Sequence, residues 1–246
     1  MAKQSGLGDR LFVAGYDLSG DIGSLDNIHG GPTLLDVTDI TQSGNARIGG
    51  LRDGGLEFTA YFDPAADLAH KRLSTLPTTD VAVTYCRGAT LGNPSAVLLA
   101  KQINYDGARG DDGSLVFTTE ALANSYGLQW GEQLTAGKRT DTTATAGTAV
   151  DYGTSSAFGL QAFLHVFAFT GTSVTVKIQE SSDNAGDAYA DVVGGGFTAA
   201  TGITSQRIAT SASLAVERYL KITTTGTFSN AVFAVTVVRN LTTVVF

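Results

Sequence analysis

The sequence predicts a mainly all-β chain in two parts. The first is a β-sandwich or barrel with one flanking helix; the second is a β-sandwich or jelly roll. Three observations carry this. Apolar residues alternate with polar ones in short runs, which is strand periodicity. Most of the 30 glycines fall between those runs, beside Asp and Asn, where turns need positive φ. Helix start and stop signals stand out in one stretch.

Short strands are expected at residues 11–17, 33–39 and 56–62. A helix is expected at about 64–76, because Asp63 can cap it, Pro64 suits its first position and Pro77 follows its end. Leu68, Leu73 and Leu76, with Ala65 and Ala69, supply its apolar stripe. In the next strand, residues 80–85, Val81, Val83 and Tyr85 share a face. Residues 96–105 and 114–122 read as a long hairpin around the Gly- and Asp-rich connection 106–113. Residues 128–134 close the first sheet.

Between residues 136 and 154 the texture is small and polar with neither period. The expected division is therefore a first domain at 1–140, a linker at 141–156 and a second domain at 157–246. In the second domain residues 160–169 are apolar on both faces, as in a strand buried on two sides. Val174, Val176 and Ile178 alternate with polar residues. So do Val216, Arg218, Leu220 and Ile222, and Phe233, Val235 and Val237 share a face. No repeat relates the two parts.

Composition narrows the function. Of 246 residues, 43% are apolar, enough for a core in each part. Only 16% are charged, and the net charge is −7. Residues 1–145 hold 11 basic and 17 acidic residues, against 5 and 6 in 146–246, so the acidity lies in the first part. Scattered cations outnumbered by acids argue against phosphate-driven nucleic-acid binding. No apolar run approaches the length of a membrane span, and residues 1–10 lack the apolar region of a secretory signal. The single Cys86 excludes an internal disulfide framework and a multi-Cys zinc site.

Catalytic chemistry is hard to assemble. His29 sits in Ile28-His-Gly-Gly-Pro32, which has the look of an oxyanion-hole loop, but the companion Gly-x-Ser-x-Gly elbow is missing, so a turn residue is expected. His70 lies in the expected helix without a second ligand at metal spacing. His165, between Leu164 and Val166, reads as a satisfied core or edge histidine. Cys86, beside Arg87, reads as a buried structural thiol. The acidic stretches 106–112 and 183–187 lack the calcium-loop pattern and read as turns, as does the Arg109-Gly-Asp111 tripeptide. No phosphate-binding or dinucleotide motif occurs. A non-enzymatic protein without a cofactor is expected.

The first part also resembles a known family. Gly8-Asp-Arg-Leu-Phe-Val-Ala-Gly-Tyr-Asp-Leu-Ser-Gly-Asp-Ile-Gly-Ser24 resembles the opening of major tail proteins of long, non-contractile-tailed phages of actinobacteria. Arg47-Ile-Gly-Gly-Leu-Arg-Asp-Gly-Gly-Leu-Glu-Phe-Thr-Ala-Tyr-Phe-Asp-Pro64 resembles their loop, strand and helix start. Leu99-Ala-Lys-Gln-Ile-Asn-Tyr-Asp106 and Gly113-Ser-Leu-Val-Phe-Thr118 resemble their central hairpin. The likeness spans most of residues 8–140. The second part resembles the immunoglobulin-like or jelly-roll appendages of phage virion proteins.

This resemblance implies a tail-tube-like first domain whose subunits form hexameric rings stacked around a DNA-conducting channel. The implied partners are copies of the chain, the terminator, distal tail and tape measure proteins, and genomic DNA passing without specific binding; no membrane is involved. The implied place is the virion tail, after synthesis in the host cytoplasm. The loop at residues 41–54 is the candidate inter-ring contact, with Ser43, Asn45, Arg47, Arg52 and Asp53. Asp106, Arg109, Asp111 and Asp112 are candidate hairpin-tip contacts. First-part acids are candidates for the channel wall, where like charge keeps DNA sliding. Two other readings stand beside it: a capsid decoration or minor head protein, and a carbohydrate- or receptor-binding module using Trp130, Tyr152, Tyr189 or Tyr219 as stacking platforms.

Overall fold

The computed structural model describes residues 5–75, 79–186 and 188–243. Strands follow one another as β1 (Arg10–Val13), β2 (Tyr16–Asp17), β3 (Ile22–Asp36) and β4 (Arg47–Tyr61), then helix α1 (Ala69–Leu73). Next come β5 (Val81–Cys86), β6 (Pro94–Gln102), β7 (Asp106–Arg109), β8 (Leu115–Ala123) and β9 (Gln129–Gln133). The rest is β10 (Arg139–Asp141), β11 (Val150–Asp151), β12 (Leu160–Ser181), β13 (Ala190–Gly196), β14 (Thr204–Ala209) and β15 (Tyr219–Arg239). The chain is mainly β, and its strand pairs are antiparallel.

Two large apolar cores result. Leu11, Leu18, Leu56, Phe58, Val83 and Leu98 centre the first, and α1 adds Ala69 and Leu73. The second is built from alternate residues of β12 and β15, among them Leu160, Leu164, Val176, Ile178, Leu220, Ile222, Phe233 and Val235. β12 and β15 pair from Leu160↔Arg239 to Ser181↔Tyr219, with register shifts around Gly171. There φ is +151°, and a Cβ would lie 2.4 Å from Phe228 Cα. Bulges at this point bend the ribbon, so both of its halves line one core. What periodicity divides into four strands is thus two long ones.

β9 joins the two parts. It pairs with β6 on one side (Ala96↔Trp130) and with β15 on the other (Val237↔Glu132). Small apolar clusters fill the seam: Ala82 and Val97 with Phe163 and Val238, and Phe12 and Cys86 with Ala234. Residues 141–156 lie against β15 through β11 (Val150↔Leu220) and the bridge Ala146↔Thr223, and against the segment just before it through the bridge Ser156↔Val216.

Several expectations are corrected. The helix at about 64–76 is confined among described residues to Ala69–Leu73, its N-cap being Leu68. The Asp63 carboxylate instead accepts from Ala65 N–H in a local turn, and Asp67 takes φ +67°, which interrupts any helix from Pro64. Leu76 and Pro77 lie outside the described residues. Residues 96–105 and 114–122 do not pair along their length; β6 meets β8 only over Ala100–Gln102, and the hairpin is β7 with β8. His29 is a strand residue of β3, opposite Gly55.

Candidate functional site

The outer half of the β3–β4 hairpin is exposed along nearly its whole length. β4 is held on both sides only from Gly55 to Tyr61, where β8 pairs with it. Leu56, Phe58 and Ala60 anchor that half in the first core. Gly127 and Leu128 still pack on Arg52, Asp53 and Gly54, and from Leu51 outward to Arg47 only β3 accompanies β4. At ~3.3 Å per residue this free ribbon reaches roughly 15 Å, before the connecting residues 37–46.

The arm is apolar yet unburied. Leu34 is 70% exposed, Leu51 85% and Ile40 fully exposed; Leu35, Val37 and Ile48 are open as well. Leu35 faces Ile48 across the ribbon. Its root is tightly fitted: a Cβ on Gly54 would lie 2.5 Å from Leu128 Cβ and 2.9 Å from His29 O. Its tip is ordered by two turns, in which Asp36 accepts from Thr38 N–H (2.9 Å) and Asp39 from Thr41 N–H (2.8 Å). Hydroxyl donation from Thr38 and Thr41, followed by these N–H bonds, holds both carboxyls below the usual range.

The candidate contact residues sit on this arm. Ser43 and Asn45 lie in the connection. Arg47, opposite Asp36, and Arg52, opposite Pro32, lie within β4, as does Asp53, whose carboxylate accepts from Gly54 N–H (2.8 Å). The stretch read as a loop at 41–54 is therefore strand from Arg47 onward. Of the second group, Arg109, Asp111 and Asp112 occupy the exposed β7–β8 hairpin end, where Gly110 N–H donates to Ser114 O (2.8 Å) and Asp112 accepts from Ser114 N–H (2.9 Å), whereas Asp106 begins β7 at the root of the hairpin, opposite Thr118. The structure does not bring the two groups together through any hydrogen bond or ion pair among the described residues.

One face of the β3–β4–β8 sheet is acidic. Glu57 of β4 stands directly opposite Glu120 of β8. Asp26, at the neighbouring strand, accepts from Thr59 Oγ1 (2.9 Å). Like charges set face to face across strands cost stability, and sequence spacing gave no sign of this pair. Other first-part acids are neutralised: Asp9 by Arg87, Asp17 by Lys138, Asp80 by Lys101 and Asp141 by Arg139.

The titratable residues singled out earlier have structural partners. His70 Nδ1 lies 3.0 Å from Tyr105 Oη, within a ring cluster that includes Phe62 and Phe117. His165 is fully buried at the seam, and burial pushes its pKa down to about 3. Cys86 is buried, which pushes its thiol up to about 12. Asp183 accepts from Ala185 N–H in a turn; Asp187 lies outside the described residues. Among the described residues no group of three or more His, Cys, Asp or Glu is placed to hold a metal.

Of the four aromatic platforms, three carry cations: Lys221 lies over Tyr189 (3.5 Å), Arg239 over Tyr152 (4.6 Å) and Arg218 over Tyr219 (4.8 Å). Trp130 and Tyr152 share one open cleft.

No family model matches the chain, and no curated protein matches it. Solved phage structures align with it at low identity. The SPP1 Dit protein, described as a paradigm of hub adsorption apparatus in phages infecting Gram-positive bacteria, covers 94% of this chain and 99% of its own, at 13% identity and TM-score 0.35. A chain of the phage p2 baseplate in its activated conformation with Sr covers 94% of this chain and 98% of its own, at 8% identity and TM-score 0.32.

Proposed function

We propose that this chain is a structural protein of a phage tail, a subunit of the tail-tube class that assembles with copies of itself into stacked hexameric rings. The observation that carries the reading is the β3–β4 arm. A two-stranded ribbon exposing Leu34, Leu35, Ile40, Ile48 and Leu51 has too little behind it to be stable alone. Its apolar side chains are exposed on both faces, Leu35 and Ile48 on one and Leu34 and Leu51 on the other, and such exposed apolar surface marks a protein contact. Docked on a neighbouring subunit, the arm buries those side chains, with Arg47 and Arg52 free to meet carboxylates there.

The sequence phrases at 8–24, 47–64 and 99–118 support the same class. In this reading the Glu57–Glu120 face turns toward the channel, where negative charge repels DNA phosphates. Terminator, distal tail and tape measure proteins are the partners at the ends and inside, and the second part projects outward. The reading needs no cofactor and no catalysis.

The experiment is negative-stain microscopy of the purified full chain over a concentration series. Rings or tubes with a central hole support the proposal. Single-subunit particles at every concentration, with decoration of isolated phage heads by the added protein, favour a head protein instead.

A further inference from the structure

Trp130 is the single tryptophan of the chain, and it is 56% exposed. It lies on β9, at the seam between the two parts, and neither core needs it. Beside it opens a cleft of about 440 Å³, lined also by Glu132, Asp151, Tyr152, Val237 and Arg239. We propose that this cleft binds a neutral glycan, a pyranose ring stacking on the Trp130 indole.

Four features support that ligand class. First, the platform is rigid. β9 is paired on both edges, and Gly131 sits so close to β15 that a Cβ would meet Val237 O at 2.2 Å. Trp130 and Glu132, two residues apart, share the face of β9. An aromatic face held in place suits the C–H surface of a sugar ring, whose binding loses little entropy on a preformed site.

Second, the polar groups around the indole are fixed. The Arg239 guanidinium stacks on the Tyr152 ring at 4.6 Å and donates to the carbonyls of Thr154 and Tyr152. Asp151 is gripped by Arg218 through two bonds of 2.6 Å. Groups so oriented match a pattern of hydroxyls rather than a flexible chain.

Third, hydrogen-bonding capacity is open on the cleft wall: among the described residues the Glu132 carboxylate, which lines the cleft, accepts no hydrogen bond, whereas the unpaired Tyr152 hydroxyl and Arg239 Nε are closed off from solvent and do not face the ligand.

Fourth, the charges balance. Arg218 already neutralises Asp151, and the remaining Glu132 carboxylate and Arg239 guanidinium offset one another. A neutral ligand is favoured over an acidic or a basic one. The proposal stands apart from the arm and its role in assembly.

The lone tryptophan makes its own emission the reporter. Full-length protein is titrated with cello-oligosaccharide, malto-oligosaccharide and chito-oligosaccharide, and with polygalacturonate as the acidic control. The expected result is a saturable change in tryptophan emission with at least one neutral glycan and none with the control. Glu132→Gln, which keeps the reporter, weakens that glycan roughly ten-fold, the loss of one hydrogen bond to a charged group. By calorimetry Trp130→Phe binds more weakly and Trp130→Ala not at all, with unchanged circular dichroism. No saturable change well above about 1 mM glycan overturns the proposal. So does an emission shift that follows protein concentration alone, which assigns the indole to a contact with a second copy.

Discussion

The imidazole of His165 ties the second part of the chain to the first through Thr84, whose Oγ1 lies 2.9 Å from His165 Nε2. The other ring nitrogen, Nδ1, accepts from Gly15 N–H at 3.2 Å. The ring is therefore neutral with its proton on Nε2, donated to Thr84. Gly15 itself, at φ +87°, has room for no Cβ, since Thr204 O would lie 2.7 Å away. Protonation of His165 would put a second donor against the Gly15 N–H. Its folded pKa of about 3 lies below the ordinary 6.5, so the unfolded chain binds more protons between those values. Stability contributed by His165 is complete above pH 6.5 and is lost as pH falls toward 3, at up to about 1.4 kcal/mol per unit. Urea unfolding at pH 7.5, 6 and 5 is expected to show this slope, and His165→Gln to flatten it.

Asp141 is a second fixed point. It is 4% exposed, accepts two bonds of 2.8 Å from Arg139 and one of 2.6 Å from Thr224 Oγ1. Arg139 also donates to Ile222 O and Thr145 O, so this pair holds residues 139–145 on β15. Asp141→Asn is expected to cost about 2–3 kcal/mol in denaturant unfolding, because it leaves the guanidinium partly buried without its counter-charge.

Cys86 reports on the same seam. Burial beside Phe12 and Ala234 pushes the thiol up to about 12, so no appreciable thiolate forms at pH 8. A maleimide or disulfide reagent is expected to leave the native protein unlabelled and to react as denaturant opens it. Prompt labelling of the native protein would show the seam to be open.

Glu57 and Glu120 oppose one another, and among the described residues neither forms an ion pair. Glu120→Gln is expected to raise stability by about 0.2–1 kcal/mol, less at high salt. An unchanged melting temperature at low salt would mean that the two carboxylates do not meet.

The sequence made the inner strands legible, because Val81, Val83 and Tyr85, or Phe233, Val235 and Val237, alternate cleanly toward a core. His165 was legible for the same reason, flanked by Leu164 and Val166. The arm was not. Gly49, Gly50 and Gly54 read as loop, and strand pairing overrides that local preference. The continuity of β12 was hidden by Gly171, which is a bulge rather than a turn. Asp63 and Pro64 gave a sound helix signal that the left-handed Asp67 cancels. The meeting of Trp130 with Tyr152 has no sequence signal, since β15 brings them together across the seam.

Assembly through the β3–β4 arm, as proposed above, is read most directly from the mass of the particle in solution. Light-scattering mass of the full chain is compared with that of Leu34→Ser/Leu51→Ser over a concentration series. Both side chains are exposed and outside either core, so the variant keeps its circular dichroism and melting temperature. Ring-sized or larger masses are expected for the native chain and a monomer for the variant. A native chain that stays monomeric at every concentration, or a variant that assembles equally well, would contradict it.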